Sequence, residues 1–134
     1  MPDKINLKNI SIVLHRTRFS ENIGAAARAI RNMGIGQLVV VDPQNFDLTK
    51  ISRMATHAAS DVVEQMAVCD TLDEALADFN FVVGTTARLG GQRKVVSSPS
   101  KLGQKLKSIS QDNQIAILFG PEDRGLTNVD IRFC

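Results

Sequence analysis

The sequence predicts an α/β fold, in which a parallel β-sheet carries helices on both faces. Apolar runs typical of strands alternate with helix-length segments, and the connections between them are short. The first two predicted strands, 11–14 and 37–41, are continuously apolar, which favours strands buried on both faces over an open antiparallel sheet. With 134 residues, the chain suffices for one domain that buries roughly two-thirds of its unfolded surface.

Local signals define the elements of the first half of the chain. A helix is predicted over 20–33, with Ser20 as its N-cap and Gly34 as the residue that ends it. The second strand closes at the turn formed by Asp42 and Pro43. A further helix is predicted over 48–59.

The second half of the chain continues the alternation. The stretch 61–68 is ambiguous, and it contains a short strand at 62–63 or slightly later. Thr71 and Glu74 have the spacing of a capping box, which begins a helix that runs through Ala77. The remaining predicted elements are a strand at 79–85, a helix at 98–108 with Ser98 as N-cap and Pro99 at its first position, and a strand at 114–119.

The composition excludes several classes of protein. The chain has no Trp and no Tyr, which argues against the aromatic stacking platforms of single-strand binders, although six Phe are present. No apolar run has the length of a membrane span, and the amino terminus lacks the apolar stretch of a signal peptide. Cys69 and Cys134 lack metal-ligand spacing, so no metal site is expected and both are interpreted as reduced thiols. A cytoplasmic protein is expected.

The charges are segregated along the chain, although the net charge is only +2. Between residues 54 and 87 every charge is acidic, between 88 and 107 every charge is basic, and a second basic group spans 15–31. If the two basic segments converge, they form a surface suited to phosphate backbones. The alternative is a solvated loop and helix face. The basic residues that the nucleic-acid interpretation selects are Arg16, Arg18, Arg88, Arg93 and Lys94.

The helix at 20–33 allows two interpretations. Gly24 and Arg28 are four residues apart and share a helix face, so backbone amides and a guanidinium can meet one anion near Asn22. The same helix carries alanines at 25–27 and 29, whose small side chains allow another backbone to approach. A packing helix with a surface arginine is therefore the alternative to an anion site.

Polar or glycine-rich segments follow three predicted strands. The helix at 20–33 follows the first, residues 84–87 (Gly-Thr-Thr-Ala) follow another, and residues 120–122 (Gly-Pro-Glu) follow the last. Parallel sheets bind ligands beyond the carboxyl ends of their strands, so together these segments predict a site. Neither the dinucleotide fingerprint nor the P-loop motif is present, which argues against hydride transfer and nucleotide hydrolysis. His15 and His57 lack the companions of a catalytic histidine.

Three ordered segments resemble the SpoU/TrmH branch of the SPOUT RNA methyltransferases. They are 22–28 (NIGAAAR), 82–88 (VVGTTAR) and 118–128 (LFGPEDRGLTN). Further sequence features, including Met33-Gly34 and 59–61 (Ala-Ser-Asp), most resemble the TrmJ-type enzymes, which 2′-O-methylate a ribose of tRNA. The resemblance implies a SPOUT-type fold with a carboxyl-terminal trefoil knot, S-adenosyl-L-methionine as cofactor, a tRNA substrate and a homodimer.

Residue roles carried over from the family are as follows. Arg28 is implied as the catalytic group near the ribose hydroxyl and the target phosphate, with Asn22 supporting it. Cofactor contacts are implied for Thr85, Thr86, Ala87 and Gly120, largely through backbone groups. Support of the motifs is implied for Gly24, Glu122, Gly125 and Leu126, with Glu122 organising the loop around the cofactor or the partner subunit.

One departure from the family pattern bears on activity. A further motif, in which a proline-containing strand end precedes a Ser-Leu-Asn helix start, is absent before Cys134. In the family it completes the knot, one wall of the cofactor pocket and part of the dimer interface. The expectation is a single methyltransferase domain over 1–134 that is truncated at its carboxyl end, with an incomplete knot. The alternative function is a catalytically silent module that binds RNA or cofactor weakly.

Overall fold

The computed structural model describes residues 4–85 and 99–122, and its centre is a parallel five-stranded sheet. The strand order is β3-β2-β1-β5-β4, and all four pairings are parallel. The chain therefore builds one side of the sheet outward from β1, then crosses to the other side and places β5 against β1. The strands are β1 (Ile10–His15), β2 (Gln37–Val41), β3 (Ala67–Cys69), β4 (Phe81–Gly84) and β5 (Ile115–Phe119).

Helices cover both faces of this sheet, as the sequence predicts. The helices are α1 (Ser20–Met33), α2 (Leu48–Ala55), α3 (Ser60–Gln65), α4 (Leu72–Leu76) and α5 (Pro99–Ile109). Helices α1, α2 and α3 pack on one face through a cluster that includes Ile23, Leu38 and Ile51. Helix α5 joins the same face, because Leu106 packs on the register partners Ile10 and Ile115.

The opposite face is covered by α4. Its residues Leu72, Ala75 and Leu76 pack on Val13, Val39 and Val41, side chains that alternate with those facing α1. The predicted cap of α4 is confirmed, since the Thr71 hydroxyl accepts a hydrogen bond from the Glu74 amide at 3.2 Å. The expectation of helices on both faces is thus confirmed, whereas the predicted knot involves residues outside the described ranges and stays a prediction.

Two local predictions differ from the structure, and one ambiguous stretch is resolved by it. The helix predicted over 48–59 ends at Ala55, because Thr56 has a φ of 63° and the chain continues as a 3₁₀ turn over His57–Ala59. The ambiguous stretch 61–68 contains α3 and then β3, so the short strand is the later of the two alternatives. Ser20 is the first residue of α1, while Phe19 has the N-cap position.

The contact between α1 and α2 depends on a glycine. A Cβ atom placed on Gly24 would overlap the Ile51 carbonyl oxygen and would lie 2.7 Å from Cβ of Met54 and 3.0 Å from the Ala55 nitrogen. Among the small residues of α1, Gly24 and Ala27 are buried, whereas Ala25 and Ala29 are exposed. The packing interpretation of this helix is therefore correct for its Gly24 face. At the other end, Gly34 ends α1 with a left-handed φ of 77°, as predicted.

Neutral side chains fasten the edge of the sheet where its strands begin, which we call the amino edge. Ser110 is fully buried, and its hydroxyl accepts a hydrogen bond from the Asn6 amide at 2.9 Å. The Asn9 side-chain amide donates to the Ser110 carbonyl at 2.7 Å and accepts from the Gln114 side chain at 3.0 Å. The Asn80 side chain accepts from the Gln114 amide at 2.8 Å.

Two further sequence expectations concern membrane spans and cysteines. No helix among residues 4–85 and 99–122 combines the length and the apolar character needed to cross a bilayer. Cys69 is a free thiol; burial and the nearby carboxylates of Glu74 and Asp70 raise its pKa. Cys134 lies outside the described residues.

Candidate functional site

The candidate site lies at the opposite edge of the sheet, where the strands end, which we call the carboxyl edge. The strand order reverses direction between β1 and β5, and ligands of open parallel sheets bind beyond the strands at such a point. The segment 16–19 follows β1 here, and Gly120, Pro121 and Glu122 follow β5. The first and third resemblance segments therefore meet at this point.

The Glu122 carboxylate joins the segment after β5 to the segment after β1 and to the first turn of α1. Its Oε1 accepts a hydrogen bond from the Arg18 amide at 2.9 Å, and its Oε2 accepts from the Phe19 amide at 3.2 Å. The Asn22 side-chain amide donates to the same Oε2 at 2.6 Å. We call this set of contacts the Glu122 junction. A carboxylate at the start of α1 also complements the positive end of the helix dipole.

The junction favours the charged form of Glu122. Partial burial alone would raise the pKa of this carboxyl. The hydrogen bonds from the Arg18 amide, the Asn22 side chain, its own amide and the Phe19 amide outweigh burial, so the pKa lies below the ordinary value of 4.5. The carboxylate is thus an ionised structural acceptor at neutral pH, which makes it unsuited to deliver a proton.

The loop after β2 holds the other side of segment 16–19. The carbonyls of Arg16 and Thr17 accept from the Gln44 side chain and the Gln44 amide, at 2.8 and 2.9 Å. The Arg18 carbonyl accepts from the Asn45 side chain. The carbonyls of residues 16–18 therefore bond to the loop, and the amides of Arg18 and Phe19 bond to Glu122, which fixes the orientation of the segment.

Two of the three described non-glycine residues with positive φ lie at this edge, and the third, Thr56, follows α2. Arg16 and Asp42, which directly follow β1 and β2, both have left-handed φ values, 59° and 43°. Their side chains form a salt bridge of 3.1 Å between Nη1 and Oδ2. Non-glycine residues in such conformations concentrate at functional sites, so the strain supports assigning the site to this edge.

The predicted catalytic residues take different positions. Asn22 belongs to the Glu122 junction, so one residue of the first resemblance segment and one of the third lie at the same place. Gly24 is buried against α2, so it does not present its backbone to an external anion. Arg28 is exposed and, within the described residues, makes no hydrogen bond or salt bridge. It lies about 9 Å beyond Asn22 along the α1 axis, from the helical rise per residue.

Two of the residues predicted to bind the cofactor are described. Thr85 follows β4 and Gly120 follows β5, and these strands are neighbours in the sheet. The Thr85 amide and hydroxyl both donate to the Leu118 carbonyl at 3.0 Å, which holds the two segments together. Thr86, Ala87, Gly125 and Leu126 lie outside the described residues, and their roles stay predictions.

The predicted RNA-binding residues divide in the same way. Arg16 and Arg18 lie at the carboxyl edge next to the Glu122 junction, and the Arg18 guanidinium carbon lies 5.2 Å from the centre of the Phe19 ring. Arg88, Arg93 and Lys94 lie outside the described residues. The predicted convergence of the two basic segments therefore stays a prediction.

Sequence reasoning missed Gln44 and Asn45 at this edge and gave Ser20 the wrong partner. Gln44 and Asn45 hold the carbonyls of segment 16–19, and the Ser20 hydroxyl accepts from the Asp47 amide at 2.9 Å instead of capping α1. Asp42 and Pro43 predict a turn, and the Gln and Asn side chains that directly follow a turn often form hydrogen bonds to backbone of nearby loops. The sequence carries no signal for the partners of these side chains.

Comparison with known proteins agrees with the segment resemblance. The model of the SpoU rRNA Methylase family matches residues 9–134. The chain is 39% identical over 128 residues to the tRNA (cytidine/uridine-2'-O-)-methyltransferase TrmJ of Cronobacter sakazakii, covering 96% of this chain and 52% of that protein. The chain thus spans about half the length of the curated relatives it matches.

Solved structures share the fold. A probable methylase family protein from Haemophilus influenzae superposes with a TM-score of 0.86 at 38% identity, covering 96% of this chain and 53% of that one. The SpoU methyltransferase AviRb from Streptomyces viridochromogenes, in complex with the cofactor AdoMet, gives a TM-score of 0.66 at 19% identity over 92% of this chain and 47% of that one. With the match over residues 9–134 and the parallel sheet that ends in the Glu122 junction, the chain belongs to the SpoU rRNA methylase family.

Proposed function

We propose that the protein transfers a methyl group from S-adenosyl-L-methionine to a ribose 2′-hydroxyl of RNA, with tRNA as the substrate. The observation that carries the proposal is the Glu122 junction, which joins the first and third family segments at the switch point of the sheet. Family membership and the identity to a tRNA 2′-O-methyltransferase support the reaction class.

The proposed role of Arg28 follows from its charge and exposure. A ribose hydroxyl is a weak nucleophile, and a guanidinium that pairs with the adjacent phosphate and stabilises developing negative charge on the 2′-oxygen assists its attack. Arginine stays protonated in proteins, so Arg28 is proposed as an electrostatic and positioning group and not as a general base. Its lack of a partner within the described residues leaves the charge available for a phosphate.

Asn22 and Glu122 have a supporting role in this proposal. The ionised Glu122 accepts from the Asn22 amide at 2.6 Å and so holds the first turn of α1, the helix that carries Arg28. Their contribution is pre-organisation, because no rearrangement of this turn is then needed when RNA binds.

The described part of the cofactor region fits a nucleoside-type ligand. Thr85 and Gly120 end adjacent strands and provide neutral backbone groups, and the Thr85 hydroxyl is fixed by the Leu118 carbonyl. Such a wall suits an adenosine moiety better than a polyphosphate, which would require cations. When bound, S-adenosyl-L-methionine supplies an electrophilic methyl group.

The proposed homodimer rests on the family resemblance, and the proposed cytoplasmic location rests on the similarity to a bacterial tRNA methyltransferase. The dimer is checked by sedimentation of the purified protein, in which a single species of twice the protomer mass is expected. A monomer at micromolar concentration would contradict it.

A methyl-transfer assay tests the reaction. Purified protein, radiolabelled S-adenosyl-L-methionine and total tRNA should give labelled 2′-O-methylated nucleosides, and Arg28→Ala should lower the rate by about 100-fold or more. Arg53→Ala is the matched control, because Arg53 is an exposed arginine on neighbouring α2. Equal rates in the Arg28 variant and the wild type would refute the role of Arg28. A wild-type protein that binds tRNA but never labels it would support the silent binding module instead.

A further inference from the structure

Two phenylalanines form an exposed aromatic pair at the carboxyl edge. The side chain of Phe19 is 50% exposed and that of Phe46 is 41% exposed. Two hydrogen bonds bracket the pair, because Asn45 donates to the Arg18 carbonyl and the Asp47 amide donates to the Ser20 hydroxyl. Residues 45–47 therefore run beside residues 18–20, so Phe46 and Phe19 lie on neighbouring segments.

We propose that Phe19 and Phe46 form a stacking surface for unpaired nucleobases of RNA. The proposal rests on the proposed RNA substrate and deepens it by assigning a base-binding subsite. Sequence-recognising contacts to RNA are made chiefly to unpaired bases, which stack on aromatic rings and on arginine planes. The lack of Trp and Tyr argues against such a surface at the level of composition, but Phe rings also stack on bases, and the two exposed phenylalanines of this edge revise that expectation.

The cation beside the Phe19 ring favours RNA over an apolar partner. The Arg18 guanidinium lies 5.2 Å from the centre of the Phe19 ring, so a cation already covers part of the apolar surface. A protein partner that buried this ring would also have to desolvate the guanidinium, whereas a nucleotide presents a base to the ring and a phosphate to the cation.

The acidic groups of this edge are largely engaged. Asp42 pairs with Arg16, the Asp47 carboxylate accepts from the Thr49 and Lys50 amides, and Glu122 is held in its junction. Glu21, in the first turn of α1, is a further exposed acidic side chain. Backbone amides occupy the oxygens of Asp47 and Glu122 without removing their charge, so what this edge offers to RNA is the two ring faces with the Arg18 guanidinium beside one of them.

Proximity to the Glu122 junction gives the pair its proposed role. The Phe19 amide donates to Glu122, so the residue that carries the ring is itself part of the Glu122 junction. A base stacked there would hold its nucleotide beside α1, the helix that carries Arg28.

Binding of two RNA hexamers tests the stacking surface without any methyl transfer. The probes are fluorescein-labelled hexauridylate and a hexamer of the same charge whose central nucleotides lack bases. Wild-type protein should bind hexauridylate more tightly than the abasic probe. Phe46→Leu should weaken hexauridylate binding at least about fivefold and leave abasic binding unchanged, because leucine keeps the apolar volume but lacks the ring face.

Phe81→Leu is the matched control, since Phe81 is 38% exposed on β4 at the far side of the sheet. It should change neither affinity. Equal binding of the two probes by the wild type, or equal effects of Phe46→Leu on both probes, would overturn the proposal. A changed oligomeric mass of Phe46→Leu with unchanged RNA affinity would also overturn it, in favour of a protein contact.

The outcomes separate this inference from the proposed reaction. Base-dependent hexamer binding without methyl transfer to tRNA would refute the reaction and leave the stacking surface standing. Methyl transfer to tRNA with base-independent hexamer binding would refute the stacking surface and leave the reaction standing.

Discussion

At the amino edge of the sheet, neutral side chains of Ser110, Asn9 and Gln114 tie chain segments together. A charged contact on this side is the Arg31–Asp61 salt bridge, which is 3.7 Å long and joins two largely exposed side chains at the end of α1 and the start of α3. At the carboxyl edge the corresponding ties run through the Glu122 carboxylate and the Arg16–Asp42 salt bridge. Left-handed backbone at Arg16 and Asp42 accompanies the charged ties. The difference indicates that hydrogen bonds between neutral groups maintain the fold at the amino edge, whereas bonds to an ionised carboxylate order the candidate site at the carboxyl edge.

The largest expected effect concerns the packing that supports the carboxyl edge. Gly24→Ala should lower the free energy of unfolding by about 2 to 3 kcal/mol, because the new Cβ overlaps backbone of α2. Urea unfolding measures this change. Gly103→Ala is the control, since a Cβ at Gly103 in α5 meets nothing within 4 Å, and it should stabilise by about 0.5 to 1 kcal/mol. Equal effects of the two substitutions would contradict the assignment of Gly24 to packing.

The next effect tests the amino edge as a purely structural region. Ser110→Ala should cost about 1 to 2 kcal/mol, because it removes the acceptor of the Asn6 amide from a fully buried position. The loss should be the same at every pH between 5 and 8, and methyl transfer per folded molecule should be unchanged. Ser108→Ala, on the exposed side of α5, should leave stability unchanged. A fall in the rate of methyl transfer by folded Ser110→Ala would remove the contrast between the edges.

The smallest effect tests the charge at the carboxyl edge. Glu122→Gln should lower the unfolding free energy by about 1 kcal/mol at pH 7, because charge-assisted hydrogen bonds weaken. The folded-state pKa of Glu122 is lower than its unfolded value, so this stabilisation is fully present above about pH 4.5. It is lost as the pH falls through the folded-state pKa, where the variant and the wild type should converge.

A matched carboxylate controls that experiment. Glu64→Gln removes an exposed carboxylate of α3 and should change stability little at any pH. A difference between Glu122→Gln and wild type that persists in acid would show that the shape of the side chain, and not its charge, holds the junction.

Predictions from local sequence signals succeeded where the physics is local. The bounds of α1, the strand at 37–41, the left-handed Gly34 and the Thr71 cap agree with the structure, because each depends on residues within a few positions. The parallel sheet followed from continuous apolar runs, since strands buried on two faces need apolar residues at every position.

Predictions that needed distant partners were incomplete. Ser20 has the residue type of an N-cap, yet its hydroxyl accepts from the Asp47 amide. The amides of Arg18 and Phe19, just before the helix, donate to Glu122, about 100 residues away. Gly24 shares its residue type with anion-binding glycines, and only the position of α2 shows that it is a packing residue. The pairing of Phe46 with Phe19 likewise depends on bonds across the loop.

The Glu122 junction can form only late in synthesis of the chain. Its two sides are separated by 100 positions, from Asn22 to Glu122, so closing it requires the segment between them to be made first. A chain that is still emerging from the ribosome therefore holds α1 without its carboxylate until residue 122 is available. We expect the start of α1 to exchange its amide hydrogens quickly in such nascent chains and to become protected only when Glu122 is available to accept its hydrogen bonds.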